Sequence, residues 1–146
     1  MTAVGNDHKG YYLKKEITRY LEAHSIAYTD FGCGSAEPAD YPIYTKMVCE
    51  AILAGTCSRG ILICGTGNGV SIAANRYRGI RATICHDVVT AGAARGHNDA
   101  NVLIMGAQAV DAKLSIDIIQ TFFNTEFSYA ERHIRRLAMI DGLPPA

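Results

Sequence analysis

The sequence predicts an α/β protein, namely a three-layer α/β/α, Rossmann-like domain with a five-stranded parallel sheet. Short apolar runs alternate along the chain with longer stretches of helical periodicity, which is typical of βαβ units. The chain has 146 residues, close to the commonest size of one domain. We therefore expect residues 1–146 to form a single domain.

The first elements are a strand, a helix and a second strand. The apolar run at residues 2–5 predicts the first strand, and residues 9–24 have apolar side chains at helical spacing along one face. Residues 26–30 predict the second strand. Residues 32–42 are rich in Gly, Ser, Pro and Asp, so we expect a surface loop there.

The middle of the chain repeats this alternation. Residues 44–53 predict a helix, and the apolar residues 59–64 predict a buried strand. Residues 68–76 predict a helix that begins in glycine-rich backbone, and residues 80–85 predict the fourth strand. Strands buried on both faces read as continuous apolar runs, which favours a parallel sheet.

The last third completes the sheet and adds three helices. The sequence predicts a helix of small residues at 88–96, a fifth strand at 101–105 and an amphipathic helix at 112–123. A basic helix at 129–140 follows, ended by Gly142, Pro144 and Pro145. Ligands of such sheets bind at the carboxyl ends of the strands.

Composition and charge exclude several classes of partner. Fourteen basic residues balance fourteen acidic ones, so no net field attracts nucleic acid or an anionic membrane. No apolar run reaches the roughly 18 residues that span a bilayer. The N-terminus lacks the charged-then-apolar pattern of a signal peptide, so we expect a cytoplasmic protein that contacts neither nucleic acid nor membrane.

The five cysteines are expected to be reduced thiols. Their number is odd and none has the CxxC spacing of a zinc site or a redox dithiol. Because a free cysteine is usually a small buried hydrophobe, a chemical role must be argued from its surroundings. Only Cys64 has surroundings that suggest a chemical role.

The strand that ends at Cys64 continues directly into the glycine loop, residues Gly65, Thr66, Gly67, Asn68 and Gly69. Glycines let an anion approach backbone N–H groups, and a helix start presents unpaired N–H donors. This spot can hold a phosphate, a carboxylate or a developing oxyanion, and it favours the thiolate of Cys64. The alternative is a tight strand-to-helix turn with a buried cysteine at its edge.

Known glycine-loop motifs do not fit this segment. It lacks the GK[ST] of a P-loop, and Val70 occupies the position at which the GxGxxG fingerprint needs glycine. A cysteine phosphatase would need an arginine six residues after its nucleophile, and that position is also Val70. Cys64 is therefore better interpreted as a general base than as a phosphoryl acceptor.

Three further groups of polar residues have alternative interpretations. Asp7-His8 and His97-Asn98-Asp99 lie near strand or helix ends where loops could converge, yet an aspartate there is commonly an N-cap. Arg132 and Arg136 lie one turn apart with Arg135 between them, and could grip a phosphate or form a solvated basic face. His24, His86 and His133 are weaker candidates, and no histidine pair has the spacing of a zinc hydrolase.

Four segments, taken together, resemble the type B ribose-5-phosphate isomerases and the related galactose-6-phosphate isomerase subunits. They are residues 7–10 (Asp-His-Lys-Gly), 40–42 (Asp-Tyr-Pro), 60–75 around the glycine loop, and 97–103. The resemblance covers nearly the whole chain. It implies a cofactor-free aldose–ketose isomerase of a phosphorylated sugar, most simply ribose 5-phosphate to ribulose 5-phosphate, that works through a cis-enediolate.

The resemblance also implies roles for individual residues. Cys64 would move the proton between C1 and C2, Thr66 would assist proton movement at the enediolate oxygens, and His97 would open the sugar ring. The substrate-binding residues would be Asp7, His8, Tyr41, Gly65, Gly67, Asn68, Gly69, Ser71 and Asn98. The phosphate would be held by His8, Arg132 and Arg136, and no metal site is implied. The assembly would be a homodimer or a dimer of dimers in which His97 reaches the neighbouring glycine loop.

The chain departs from the family pattern at two positions. Gln108 stands where many relatives have an arginine that contributes to the phosphate site, and Asn6 stands where relatives often have a small apolar residue or cysteine. Members that lack the cysteine use a glutamate at the position of Val70. The substrate could accordingly be a tetrose or hexose phosphate. The chain could also be a non-catalytic sugar-phosphate-binding module, or a subunit that needs a different second chain.

Overall fold

The computed structural model describes residues 1–143, which contain one five-stranded sheet with helices on both faces. The strands are β1 (Thr2–Asn6), β2 (Tyr28–Asp30), β3 (Arg59–Cys64), β4 (Ala82–Ile84) and β5 (Val102–Gly106). The helices are α1 (Tyr11–Ala23), α2 (Tyr41–Leu53), α3 (Asn68–Ala74), α4 (Val88–Gly96), α5 (Ala112–Asn124) and α6 (Glu131–Asp141). The strand order is β2-β1-β3-β5-β4 and every pairing is parallel, so the predicted fold class is confirmed.

The sheet separates two apolar clusters. Helices α1, α4 and α5 pack on one face and α2 and α3 pack on the other. The central strand β3 supplies both clusters, because successive side chains of a strand point to opposite faces. Ile61 and Ile63 lie in the first cluster, whereas Leu62 and Cys64 lie in the second. The double burial of β3 fixes the position of its last residue, Cys64.

Several boundaries differ from the predicted ones. Helix α2 begins at Tyr41 rather than at residue 44, because Pro42 suits the first turn of a helix and Asp40 is its N-cap. The predicted loop at residues 32–42 is therefore two residues too long. Strand β4 is shorter than predicted because the backbone N–H of Ile80 donates to the carbonyl of Tyr77 in a turn.

The structure also defines where two of the predicted helices begin or end. The predicted helix at 9–24 begins with a separate 3-10 turn, His8–Gly10, before α1. At the C-terminal end, Gly142 is the C-cap of α6 as predicted, and Pro144 and Pro145 lie outside the described residues. Among residues 1–143, no helix is long and apolar enough to cross a membrane.

Candidate active site

Cys64 ends β3 at the carboxyl edge of the sheet, where it is 5% exposed. Its Sγ accepts a hydrogen bond from the backbone N–H of Gly67 at 3.1 Å. This bond requires the loop to fold back over the thiol, and Gly67 does so with a φ of 87°, which favours glycine. A backbone donor is thus fixed beside the sulfur.

The rest of the glycine loop faces outward over the same edge. Thr66 is exposed, and its Oγ1 accepts the N–H of Asn68 at 3.2 Å. The N–H groups of the first turn of α3 have no intrahelical partner, because an α-helix bonds each N–H to a carbonyl four residues earlier. Donors therefore remain around the opening above Cys64, which is called the mouth below.

Tyr41 forms one wall of this mouth. A Cβ placed on Gly69 would lie 2.5 Å from Cζ of the Tyr41 ring, so only glycine at 69 permits this contact. Ser71 lies one turn after Gly67 in α3, and its N–H donates to the carbonyl of Gly67. The structure thus brings Tyr41 and the glycine loop together, from segments 23 residues or more apart in sequence.

Asp7 and His8 reach the same edge from β1. The backbone N–H of Asp7 donates to the carbonyl of Ile63, which places Asp7 beside the end of β3. Its Oδ1 accepts the N–H groups of Lys9 and Gly10, so the aspartate does act as an N-cap. Nδ1 of His8 accepts the N–H of Ala39 at 3.1 Å, which leaves Nε2 to carry the proton of a neutral ring.

His97 and Asn98 lie at the opposite edge of the sheet. His97 is the C-cap of α4, which runs antiparallel to the strands, and the carbonyl of Asn98 accepts from Nε of Arg81, just before β4. The N–H of Asn101 donates to the carbonyl of Arg81, whereas Cys64 pairs with Gly106. The five residue steps from Asn101 to Gly106 span about 17 Å at the rise of a strand.

Helix α6 joins His97 at this amino edge. The rings of His97 and His133 lie with centroids 4.6 Å apart, and Arg132 and Arg136 are exposed on the same helix. Burial lowers the pKa of His133, and the charges of Arg132, His97 and Arg136 lower it further. The exposed Arg132 and Arg136 make this part of the amino edge basic. Their charges favour the neutral form of His133.

The two clusters that could have converged do not converge within one chain. Asp7 and His8 lie with Cys64 at the carboxyl edge, whereas His97 and Asn98 lie with Arg132 and Arg136 at the amino edge. The sequence left open whether these loops converge. Within a single subunit they do not, since one cluster follows a strand and the other follows a helix that runs the opposite way. The residues form two separate groups, one at each edge of the sheet.

The remaining cysteines have different surroundings from Cys64. All five are free and buried. Burial raises the pKa of the Cys49 thiol to about 12 and also raises that of Cys85, so both stay protonated and unreactive at neutral pH. Cys33 receives a hydrogen bond from Nδ2 of Asn6 and donates one to the carbonyl of Ser35.

Two residues near the glycine loop were not among the expected site residues, although His86 was considered as a weaker candidate. Nε2 of His86 accepts the N–H of Gly106 at 3.3 Å, at the carboxyl edge next to the partner of Cys64. The side chain of Lys9 lies against Gly65. His86 directly follows a strand, a position that could have singled it out, whereas the contact of Lys9 depends on folding. Within residues 1–143, no group of three or more His, Cys, Asp or Glu side chains could hold a metal ion.

A parallel sheet with a thiol and a glycine loop at its carboxyl edge is typical of α/β proteins that bind small molecules there. Comparison with known proteins specifies the class. The family model described as ribose/galactose isomerase matches residues 2–140. Ribose-5-phosphate isomerase B of Escherichia coli is 40% identical over 141 residues, covering 97% of this chain and 94% of the relative.

Solved structures agree with the family match. A ribose 5-phosphate isomerase of Thermotoga maritima superposes with a TM-score of 0.95 at 44% identity, covering 97% of both chains. Ribose-5-phosphate isomerase B of Clostridium thermocellum superposes with a TM-score of 0.93 at 44% identity, covering 96% of this chain and 94% of the other. The chain belongs to the ribose/galactose isomerase family, as the resemblance implied, and it is a sugar-phosphate isomerase.

Proposed function

We propose that the chain interconverts ribose 5-phosphate and ribulose 5-phosphate by proton transfer, with Cys64 as the base. The observation that carries this proposal is the position of the Cys64 thiol at the buried end of β3, with the Gly67 N–H on its sulfur. The names of the Escherichia coli, Thermotoga and Clostridium proteins support the five-carbon substrate.

The chemistry begins with the open-chain aldose, whose C2 proton is made acidic by the neighbouring carbonyl. The Cys64 thiolate removes that proton and leaves a cis-enediol(ate), with negative charge on the oxygen at C1. The same thiol then returns the proton to C1, while the proton of the C2 hydroxyl moves between the oxygens. Thr66, exposed at the mouth, is placed to assist that movement.

The enediolate needs fixed donors where its charge develops. This role belongs to the backbone amides from Gly65 to Gly69. Among them, Asn68 and Gly69 lie in the first turn of α3, whose N–H groups lack intrahelical partners. Asp7, Tyr41, Asn68 and Ser71 would bind the sugar at the same mouth, which Tyr41 borders through its contact with Gly69, and Nε2–H of His8 would be a donor for the phosphate. The proposed reaction uses no metal and no cofactor.

A second copy of the chain completes the proposed site. His97 would open the sugar ring, Asn98 would bind a hydroxyl, and Arg132 and Arg136 would bind the phosphate. All four lie at the amino edge of their own chain, away from Cys64, so they act on a neighbouring subunit. Two exposed arginines one turn apart can bind a phosphate with several donors.

The test is a coupled assay of purified protein with four-, five- and six-carbon aldose and ketose phosphates. We expect the highest kcat/KM with the ribose 5-phosphate and ribulose 5-phosphate pair, and transfer of solvent deuterium to the sugar. A higher kcat/KM with a tetrose or hexose phosphate would show that this sugar phosphate, and not ribose 5-phosphate, is the substrate. Absence of turnover with every sugar phosphate would indicate a binding module.

A further inference from the structure

We propose that Lys9 is a substrate-binding residue. Its ammonium acts with the side-chain amide of Gln108 to bind the phosphate of the sugar beside the glycine loop, at the carboxyl edge of the sheet. This inference rests on the proposed function for the identity of the substrate. The contact that suggests it is at Gly65, the residue that follows Cys64. Three neighbouring strands, β1, β3 and β5, deliver the residues involved.

The backbone of Lys9 is fixed at the end of β3. Its N–H donates to Oδ1 of Asp7 at 3.0 Å, inside the 3-10 turn His8–Gly10. The next residue, Gly10, packs so closely that a Cβ on it would lie 2.6 Å from the carbonyl oxygen of Ile63. This close approach fixes the 3-10 turn, and with it the backbone of Lys9, beside the end of β3.

The aliphatic part of Lys9 covers Gly65. A Cβ placed on Gly65 would lie 2.9 Å from Cδ of Lys9 and 3.6 Å from its Cβ. The ammonium is two bonds beyond Cδ, so it reaches solvent at the rim of the loop while the stem stays packed. Lys9 makes no ion pair with any residue of the described chain.

Gln108 approaches the same glycine from β5. Its backbone N–H donates to the carbonyl of Gly65 at 2.9 Å, and its Nε2 lies 3.3 Å from the position of a Gly65 Cβ. The stem of a cationic side chain and an amide donor therefore flank one small residue. Oδ1 of Asp7 already accepts two backbone N–H groups. An oxyanion fits this pair of donors better than a neutral hydroxyl does.

Charge distribution in the chain supports a phosphate as the bound group. The arginines assigned to the phosphate lie at the amino edge and would come from a second copy. On the carboxyl edge, Nζ of Lys14 forms an ion pair with Oδ2 of Asp30 at 2.8 Å and donates to the carbonyl of Cys33. Lys14 is therefore not available to bind a phosphate. Lys9 is the unpaired cation that the chain itself brings next to the glycine loop within residues 1–143.

The test compares Lys9→Met, Lys9→Arg and the control Lys15→Met. Methionine keeps the packing on Gly65 and removes the charge, and Lys15→Met removes the same charge from an exposed position on α1. We expect Lys9→Met to raise KM for the sugar phosphate about three- to tenfold with little change in kcat, Lys9→Arg to restore most of the affinity, and Lys15→Met to have no effect.

Binding of inorganic phosphate by calorimetry separates this inference from the proposed function, because it needs no turnover. Lys9→Met should weaken phosphate binding by the same factor as it raises KM, whichever sugar the enzyme isomerises. Equal phosphate affinity in Lys9→Met and Lys15→Met would overturn the inference. Loss of kcat without loss of phosphate affinity would overturn it too, since Lys9 would then act on the reacting carbons.

Discussion

At the scale of single residues, the surroundings of a thiol decide whether it can do chemistry. Cys49 and Cys85 lie among apolar side chains, and burial raises the pKa of each. Cys64 is buried to a similar degree, but it ends a strand and receives a backbone N–H on its sulfur. The glycine pattern after Cys64 made this contrast predictable from the sequence, because glycines permit the loop to fold back.

Replacing Cys64 by alanine should lower kcat by about two to four orders of magnitude, since a general base contributes mainly to the transition state. Substrate binding and the unfolding transition should remain close to wild type. Steady-state kinetics with Cys85→Ala as the matched control provide the measurement. Similar kcat values in Cys64→Ala and wild type, or an equal loss in Cys85→Ala, would exclude Cys64 as the base.

Gln108 permits a second prediction at this scale. Its amide lies beside Gly65, and replacement by arginine would place a planar cation at the rim of the mouth. Gln108→Arg should lower KM for ribose 5-phosphate, if that sugar is the substrate, and should leave kcat nearly unchanged. Measuring KM for several sugar phosphates tests this, and a rise in KM for all of them would contradict it.

At the scale of elements, the sequence predicted most helices and strands and erred mainly at their ends. The boundary of α2 was misplaced because Tyr41 and Pro42 follow a loop-like composition, although proline is favoured in a first helical turn. The contacts that hold the loop between β2 and α2 could not be predicted. The bond from the N–H of Ala39 to His8 joins residues 31 positions apart.

His133 in helix α6 makes the free energy of unfolding depend on pH. Burial, then Arg132, His97 and Arg136, lower the pKa of His133, so the folded chain binds its proton less readily than the unfolded chain does. As pH falls through the ordinary histidine range near 6.5, the unfolded state takes up the proton first. The free energy of unfolding therefore falls with acidification, until the pH drops below the lowered pKa of the folded state.

His133→Gln should remove this contribution and flatten the pH dependence of stability between about pH 7.5 and 5.5. Glutamine can still bond to Ser128, whose Oγ lies 2.6 Å from Nδ1 of His133. Urea unfolding at several pH values, with exposed His24→Gln as the control, measures the effect. The account of His133 would fail if its variant and the His24 variant showed the same pH dependence.

At the scale of the whole molecule, the direction of each element determines which residues can meet. Strand β3 delivers Cys64 to the carboxyl edge, and α4, which runs the opposite way, delivers His97 to the amino edge. The residue pattern alone proposed both residues without separating them in space, because that required the strand order and the parallel pairing. Only the family resemblance implied that His97 reaches a neighbouring subunit. A site that uses both residues must therefore be shared between two copies.

Mixing two inactive variants tests the shared site. Cys64→Ala and His97→Ala chains should each be nearly inactive, and chains refolded together should regain roughly a quarter of wild-type activity. About half of the dimers would be mixed, and each mixed dimer would contain one intact site and one doubly altered site. Refolding each variant alone at the same total concentration is the control. If both residues served the site of their own subunit, every site in the mixture would carry one lesion. The mixture would then be no more active than the separate variants, and that result would exclude the shared site even in a dimeric protein.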